Sequence, residues 1–404
     1  MRRLNPRLGL LSFGHFTIDA YSSFFSPLLP LLVVKLDLSL TLVGTLVMFM
    51  SLASSMSQPF FGWLSDRMGH PWFVGLGPLV AATFISCLGL APNYGSLVAL
   101  LTLGGLGVAA FHPQAASLAG EVSPRRGMAM AFFVTAGTLG FSLGPLLAVS
   151  LVQAVGLERS WIAAAPGVAV SLVLLSLLAK VRPPRHAPVE RPKGRPQEFP
   201  KIAELRPVAR PLSLLYFTVV ARSAVSYGFM TFLPLHLTSR GYSVMQAGGL
   251  ASLYLGCGAL GGLLGGWLAD RWGGRRVVVA SFVGAVPLYF AFLFVPDPWS
   301  LACLVAGSFV LQASLPVNVV MGQELSPRHA STISSLLMGA AWGLGALLIG
   351  PIGALADRWN LHGALFVLTF VLLGGLGCAV ALPSPRRAIP AVDMAQPAST
   401  VAGS

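Results

Sequence analysis

The sequence GWLSDRMG at residues 62–69 decides the fold, because it returns about 204 residues later as GWLADRWG at residues 266–273. Both copies follow a long apolar run and place an Asp-Arg pair in a short charged turn. A repeated apolar bundle with charged turns at matched positions is typical of secondary transporters. Three single residues recur at nearly the same spacing: Pro30, Gly44 and Pro113 return as Pro234, Gly248 and Pro316.

The composition excludes an ordinary soluble domain. Of the 404 residues, 55% are hydrophobic and only 10% are charged, too few to cover a water-facing surface. The apolar runs are mostly about 20 residues long, which matches the thickness of a bilayer core. Backbone amides in hydrocarbon must be paired within their own segment, so the runs are predicted to be helices. No ten-residue alternation of polar and apolar residues supports an outer-membrane barrel.

The chain is therefore predicted to be an all-α membrane protein with twelve transmembrane helices in two pseudo-symmetric bundles of six. The spans are expected to start near residues 8, 42, 72, 96, 127, 161, 211, 246, 276, 299, 330 and 362. The first span is retained, since it lacks a signal-peptide cleavage site. The predicted organisation is an N-terminal bundle at 1–180, a cytoplasmic linker at 181–210, a C-terminal bundle at 211–382, and a disordered cytoplasmic tail at 383–404.

The net charge of +13 is explained by the orientation of the chain in the membrane and does not require binding of nucleic acid. Most Lys and Arg residues fall in the amino-terminal tail, in the loops after even-numbered spans and at the carboxyl end. Only Lys35, Arg159, Arg240 and Arg358 fall on the opposite side. By the positive-inside rule both termini are expected in the cytoplasm.

The repeated Asp-Arg turns are predicted to form a conformational latch, although an ordinary charged turn is the alternative. An Asp at a helix end and an Arg in a tight Gly turn can pair with a neighbouring helix and separate as the halves rock. A third, partial copy at Gly353, Asp357 and Arg358 falls after the eleventh span, on the other side. The predicted latch residues are Gly62, Asp66, Arg67, Gly69, Gly266, Asp270, Arg271, Arg275 and Arg276.

With these turns the chain resembles the major facilitator superfamily, whose signature between spans two and three has this form. The first copy departs from the signature, because His70 and Pro71 stand where two basic residues are usual. The second copy keeps them as Arg275 and Arg276. The resemblance implies two six-helix domains that rock about a central cavity lined by spans one, four, seven and ten.

A second motif is Gly140-x3-Gly144-Pro145 in span five. Glycines four residues apart form a close-packing groove, and the proline bends the helix. The pattern resembles the antiporter motif of drug/proton exporters, with Ala148 and Val149 in place of a terminal glycine pair. Ordinary helix packing is the alternative interpretation.

Three stretches taken in order resemble the fosmidomycin-resistance subfamily of drug/proton antiporters. They are GHFTID at 14–19, FHP at 111–113, and the span-five motif. Members of that group export small antimicrobial compounds. The Arg usual within span four of other drug exporters is absent, so their proton relay cannot be carried over.

Asp19 and Arg222 are the residues of fixed charge expected at membrane depth, where an ionised side chain is costly and marks function. They are separated by almost the repeat length, so the pseudo-twofold axis predicts that they face each other from spans one and seven. We expect Asp19 to carry the proton, with Arg222 as its counter-ion or as the anchor for an anionic substrate group. A permanent structural ion pair is the alternative.

Several polar residues are candidates for sharing the proton or lining the cavity. His15, one helical turn before Asp19, can share its proton, bind substrate or bond a backbone carbonyl. His112 lies where Pro113 is expected to interrupt span four and is a candidate ligand. The predicted substrate-binding residues are His112, Arg222, Gln114, Tyr227, Gln312 and Asn318.

Other chemistries are excluded by missing motifs. The chain has no Gly-x4-Gly-Lys-Ser/Thr and no His-Glu-x2-His, so neither ATP-driven pumping nor zinc-dependent hydrolysis has a site. Its four cysteines lie in apolar stretches without metal-ligand spacing. We expect no enzyme activity, no metal and no cofactor beyond protons as the coupling ion.

The sequence thus favours a proton-coupled exporter of small drug-like or amphipathic compounds, a monomer in a bacterial inner membrane. Its partners are a small-molecule substrate and the lipid bilayer. Uptake or symport of a sugar, organic acid or peptide is the alternative, and a non-transporting receptor or scaffold is a further one.

Overall fold

The computed structural model describes residues 5–68, 70–121, 126–178, 205–327, 333–334 and 336–383. Six of these, Asp66, Glu121, Arg126, Gly127, Met128 and Leu178, are described by backbone only. The described part contains twelve helical spans long and apolar enough to cross a membrane. Spans 1 to 6 are Pro6–Leu36, Leu40–Ser65, Trp72–Leu90, Tyr94–Gly120, Ala129–Val155 and Leu157–Leu177. Spans 7 to 12 are Arg206–Ser239, Val244–Trp272, Gly274–Phe294, Trp299–Leu325, Leu336–Arg358 and Leu361–Ala381.

The all-α prediction with twelve spans is confirmed, and most spans begin within a few residues of the predicted starts. Span 7 begins at Arg206, inside the stretch predicted to be linker. The linker residues 181–204 and the tail residues 384–404 lie outside the described residues, so those two predictions stay open.

Span 1 consists of two helices, Pro6–Ser22 and Phe25–Leu36, joined at Ser23 and Phe24. Pro30 lies inside the second of them, where it cannot donate a backbone hydrogen bond. Span 10 is similarly made of Trp299–Gln312 and Ser314–Leu325. Span 4 differs from expectation, because Tyr94–Glu121 runs through Pro113 as one helix. The predicted interruption at His112 is therefore wrong.

The internal repeat extends to the helix caps. Ser39 caps span 2 by accepting a hydrogen bond from the backbone of Leu42 at 3.2 Å. Ser243 caps span 8 in the same way from Gln246 at 3.1 Å, and the Gln246 side chain completes a capping box. A hydroxyl that accepts from the third residue satisfies an amide left free at a helix start. The duplication therefore fixes the start of matching spans in both halves.

The bundle has two ends, which we name by what lies there. The terminal end carries the start of span 1 and the end of span 12. At this end Arg275, at the start of span 9, donates hydrogen bonds to the carbonyls of Val380 and Leu382. The far end carries the loops after the odd-numbered spans. There Asp297 pairs with Arg240 at 3.0 Å. Burial works against its ionisation, yet hydrogen bonds from Ser300 and Tyr242 and the Arg240 charge lower the pKa of Asp297.

The two halves meet toward the far end. The carboxylate of Asp357, on span 11, accepts from the Leu40 and Thr41 amides at 2.7 and 2.8 Å and from the Thr41 hydroxyl at 2.6 Å. Further bonds join Ser26 to the Met230 carbonyl and the Leu146 amide to Ser252. These contacts all lie toward the far end.

Repeated glycines let the halves approach. A side chain at Gly44 would collide with the backbone of Ile349 and Gly350, and one at Gly248 would collide with Val149. These two glycines are repeat partners, so spans 2 and 11 and spans 8 and 5 form two related seams. The structure is therefore closed at the far end.

Candidate functional site

Asp19 lies between two histidines inside the N-terminal half. Its Oδ2 is 3.2 Å from His15 Nε2, one turn earlier on span 1, and its Oδ1 is 3.1 Å from His112 Nε2 on span 4. The Asp19 side chain is 17% exposed and that of His112 is 25% exposed, so water can reach the cluster. We call His15, Asp19 and His112 the triad.

Both imidazoles are held by backbone carbonyls on their other nitrogen. His15 Nδ1 is 2.8 Å from the carbonyl of Phe133 on span 5, and His112 Nδ1 is 2.8 Å from the carbonyl of Val108. A carbonyl oxygen can only accept, so each Nδ1 carries a hydrogen. Each ring therefore turns Nε2 toward the Asp19 carboxylate.

Span 5 supports the triad through small residues. A side chain at Gly137 would collide with the His15 ring and the Asp19 carboxylate. One at Gly140 would collide with the Phe16 carbonyl, and one at Gly144 with Ser23 and the Ala20 carbonyl. The glycines of the span-five motif thus allow the backbone of span 1 to lie directly against span 5.

A Gly140→Ala variant is expected to destabilise the protein by about 1–3 kcal/mol, because the added methyl meets backbone that cannot rotate away. Thermal unfolding of purified protein in detergent measures this. Gly374→Ala in span 12 is the matched control, since no atom lies within 4 Å of a side chain there. Equal melting temperatures for the two variants would contradict the packing role.

Arg222 is buried in the C-terminal half, with 1% of its surface exposed. It donates to Gln312 at 2.9 Å and to Ser223 at 3.2 Å, and its guanidinium stacks on Trp342 at 4.9 Å from the ring centroid. Its Nε has no hydrogen-bond partner in the described protein. The ionisable groups acting on its charge are the hydroxyls of Tyr227, Tyr254 and Tyr289. The cation thus has no acidic partner among the described residues.

The predicted direct pairing of Asp19 with Arg222 does not occur in this structure. Among the described residues, the ion-pair partners of Asp19 are His15 and His112, and Arg222 has none. Both residues do lie about two helical turns from Ser26 and Met230, where spans 1 and 7 touch, on the side toward the terminal end. The repeat places Asp19 and Arg222 at matching depths in the two halves. The side chains that contact each of them come from its own half.

The other predicted ligands are separated by the structure. Gln114 is committed elsewhere: it donates to Ser65 and the His70 carbonyl and accepts from the Val74 amide. These bonds hold its amide in place within the N-terminal half, and its binding role stays a prediction. Gln312 is part of the Arg222 cluster, and Tyr227 packs edge-on against Trp342 there. Both side-chain atoms of Asn318 are buried without a partner in the described protein.

The predicted latch residues Arg67, Arg271 and Arg275 make side-chain contacts within their own half. Arg67 stacks on Trp63 at 4.0 Å and Arg271 on Trp267 at 3.7 Å, the same contact in both repeats. Gly62 and Gly266 face the repeated prolines Pro113 and Pro316. The Asp66 side chain and Gly69 lie outside the described residues. The latch role stays a prediction.

The triad is also the one set of described His, Cys, Asp and Glu side chains whose donor atoms lie close enough to share a metal ion, within 4.8 Å of one another. Its two nitrogens, however, each contact a different carboxylate oxygen at hydrogen-bond distance. Direct contacts of this kind are those of groups that share protons. The expectation of no metal stays a prediction.

Sequence reasoning missed three features of the site. His112 was predicted to bind substrate, but its contact with Asp19, 93 residues earlier in the sequence, was not predicted. The aromatic groups Trp342, Tyr254 and Tyr289 around Arg222 carry no motif. Asp357 was recognised as a partial repeat of the latch turn, but its helix-capping contact with Leu40 and Thr41 depends on tertiary structure.

The fold of twelve spans in two related halves is that of a membrane transporter, and the family comparison agrees. The family model of the Major Facilitator Superfamily matches residues 11–350. The chain belongs to this superfamily, as the repeated turns predicted. It is a multi-pass membrane transporter acting on small molecules.

Two characterised relatives and one solved structure are similar to this chain. The Fosmidomycin resistance protein of Escherichia coli (strain K12) is 26% identical over 388 residues, covering 94% of this chain and 93% of the relative. Multidrug resistance protein MdtG of Serratia proteamaculans (strain 568) is 28% identical, covering 81% and 85%. The fold is also that of a bacterial homolog of the human lysosomal transporter Spinster, with a TM-score of 0.78, 17% identity, and coverage of 96% and 98%.

Proposed function

We propose that the chain is a proton-coupled exporter of small drug-like or amphipathic compounds in a bacterial inner membrane. The observation that carries the proposal is the triad, a protonatable cluster inside the membrane spans of the N-terminal half. A similar chain named for fosmidomycin resistance, matched along nearly its whole length, supports export as the direction.

The two halves divide the work. In the N-terminal half, Asp19 takes up and releases the coupling proton. In the C-terminal half, Arg222 is a buried cation without an acidic partner, and it anchors an anionic group of the substrate. A buried charge left unpaired is costly, so a ligand that supplies the missing anion binds favourably there.

The far-end closure corresponds to one state of an alternating-access cycle. With both termini in the cytoplasm, as the basic loops favour, the terminal end faces the cytoplasm and this is the state that loads substrate. The repeated Asp-Arg turns then close the terminal end in the opposite state. The chain acts as a transporter without enzyme activity, metal or cofactor, and as a monomer.

The proposal is tested with cells and with proteoliposomes. Cells producing the protein should tolerate more fosmidomycin than cells without it. Purified protein in liposomes should move fosmidomycin uphill when a pH gradient is imposed. Sensitisation of the cells, or no effect on their growth, would instead favour uptake of a small solute.

An Arg222→Met variant is expected to lose transport of fosmidomycin, which carries an anionic phosphonate, because the anchoring charge is gone. Its melting temperature should not fall, since an apolar side chain in this site removes a buried unpaired charge. Arg206→Gln, at an exposed residue, is the control. Retained fosmidomycin transport by Arg222→Met would contradict the anion-binding role.

A further inference from the structure

The triad has more hydrogen-bonding contacts than a single proton can fill. Each Nδ1 hydrogen is already committed to the carbonyl of Phe133 or Val108. A neutral imidazole with hydrogen on Nδ1 has only a lone pair at Nε2. Without further protons, both Nε2 atoms would therefore direct lone pairs at carboxylate oxygens from 3.1 and 3.2 Å.

We propose that the triad binds two protons, one in each Asp19 contact, and that His112 is a proton carrier together with Asp19 and His15. The inference rests on the proposed proton coupling and adds its stoichiometry. One proton lies between Asp19 Oδ1 and His112 Nε2, and the other between Oδ2 and His15 Nε2. A single proton would leave the second contact with two lone pairs facing each other, so the observed geometry is that of the doubly protonated triad.

The charge of the triad follows by counting. Two neutral imidazoles and one carboxylate carry −1, and two added protons bring the triad to +1. Both protons enter from water on one side of the membrane and leave to water on the other, with no other group oxidised or reduced. Attraction between the carboxylate and the two imidazolium rings holds the protonated state together.

No other described ionisable side chain forms an ion pair with the triad. Spans 3 to 6 all pack against this part of span 1. Among the described residues, the ion-pair contacts of Asp19 are those with the His15 and His112 rings. Arg222 lies in the other half and has no ion-pair contact with Asp19.

Proton release is coupled to movement, because the rings cannot turn away without losing their carbonyl partners. The three side chains belong to spans 1 and 4, and the His15 carbonyl partner belongs to span 5. When the protons leave, lone-pair repulsion separates His112 from Asp19 and loosens span 4 from span 1. The cluster therefore links its protonation to the packing of the N-terminal half.

The proton count is tested first without substrate. Solid-state NMR of protein labelled with 15N-histidine, in liposomes, distinguishes imidazolium from neutral rings. The chain has seven histidines, so the triad signals are identified by substitution. At a pH where Asp19 is ionised, one imidazolium signal should be absent in His15→Gln and another in His112→Gln. Asp19→Asn should convert both of these signals to those of neutral imidazole. An imidazolium signal from only one of the two triad rings at every pH, or triad signals unchanged by Asp19→Asn, would overturn the inference.

Transport stoichiometry provides the second test. At zero membrane potential, and after correction for ionisation of the substrate itself, two coupled protons give about a hundredfold fosmidomycin gradient per pH unit, and one proton gives about tenfold. The full-length protein should show the former and His112→Gln the latter. His362→Gln, at a far-end histidine without an acidic partner in the described chain, should match the unmodified protein. A tenfold gradient in the unmodified protein would overturn the two-proton inference. Absence of any fosmidomycin movement would count against the proposed function alone, since the NMR test still decides the proton count.

Discussion

Asp19→Asn is expected to abolish uphill export while leaving the protein folded. The amide has nearly the shape of the carboxylic acid, so it fits beside Gly137 and between the two rings. It has no exchangeable charge state, however, and cannot carry a proton across. The substrate gradient at equilibrium should fall from at least about tenfold per pH unit to none.

The measurement is accumulation of fosmidomycin in proteoliposomes with an imposed pH gradient. Exchange of labelled for unlabelled substrate across the same membranes, without a gradient, reports whether the variant still changes conformation. Asp297→Asn is the matched control, because that carboxylate lies in a far-end loop outside the spans. An Asp19→Asn protein that still drives pH-dependent uphill export would refute the carrier role.

The second large effect is expected at Asp357, which caps span 2 from the opposite half. Its carboxylate accepts three hydrogen bonds at the start of that helix, where negative charge is stabilised. Asp357→Ala removes a contact that exists only while the far end is closed. Loss of a helix cap costs about 0.5–2 kcal/mol, so the closed population should fall roughly 2- to 30-fold relative to the open one.

Distances between spin labels measure this shift. Labels at Asn93 and Ser239, exposed residues at the far ends of the two halves, should report longer separations in Asp357→Ala than in the parent protein. The four native cysteines are first replaced.

Thr41→Val, which keeps both backbone bonds to Asp357, should shift the distances less. Asp297 is also a far-end carboxylate, but its partners all belong to its own half: Arg240, Tyr242 and Ser300. Asp297→Ala should therefore leave the label distances unchanged. Equal shifts for Asp357→Ala and Asp297→Ala would contradict the capping role.

Much of the fold could be predicted because the constraints are local. Apolar runs of bilayer length give the twelve helices, and the spacing of repeated residues such as Gly44 and Gly248 gives the two halves. The glycines of span five were predicted to form a close-packing groove, and the structure places the backbone of span 1 in it. None of these conclusions needed knowledge of how distant segments meet.

The site could be predicted only in part, because its contacts join segments far apart in the chain. Depth in the membrane identified Asp19 and Arg222, but the repeat could not show that each half supplies its own partners. The hydrogen bonds of Gln114 likewise join segments far apart in the chain. A polar residue in an apolar span can line a cavity or hold a turn, and only the contacts with Ser65, His70 and Val74 distinguish these roles.

The two related seams at Gly44 and Gly248 have a consequence for how the cycle is controlled. They are built from main-chain atoms and aliphatic carbon, neither of which gains or loses charge when the medium is acidified. Apart from the Asp357 contact, the packing free energy between the halves should therefore not depend on pH. The response to pH is then confined to the triad. Substitutions in the seams should change how readily the far end opens without changing the pH at which the protein responds.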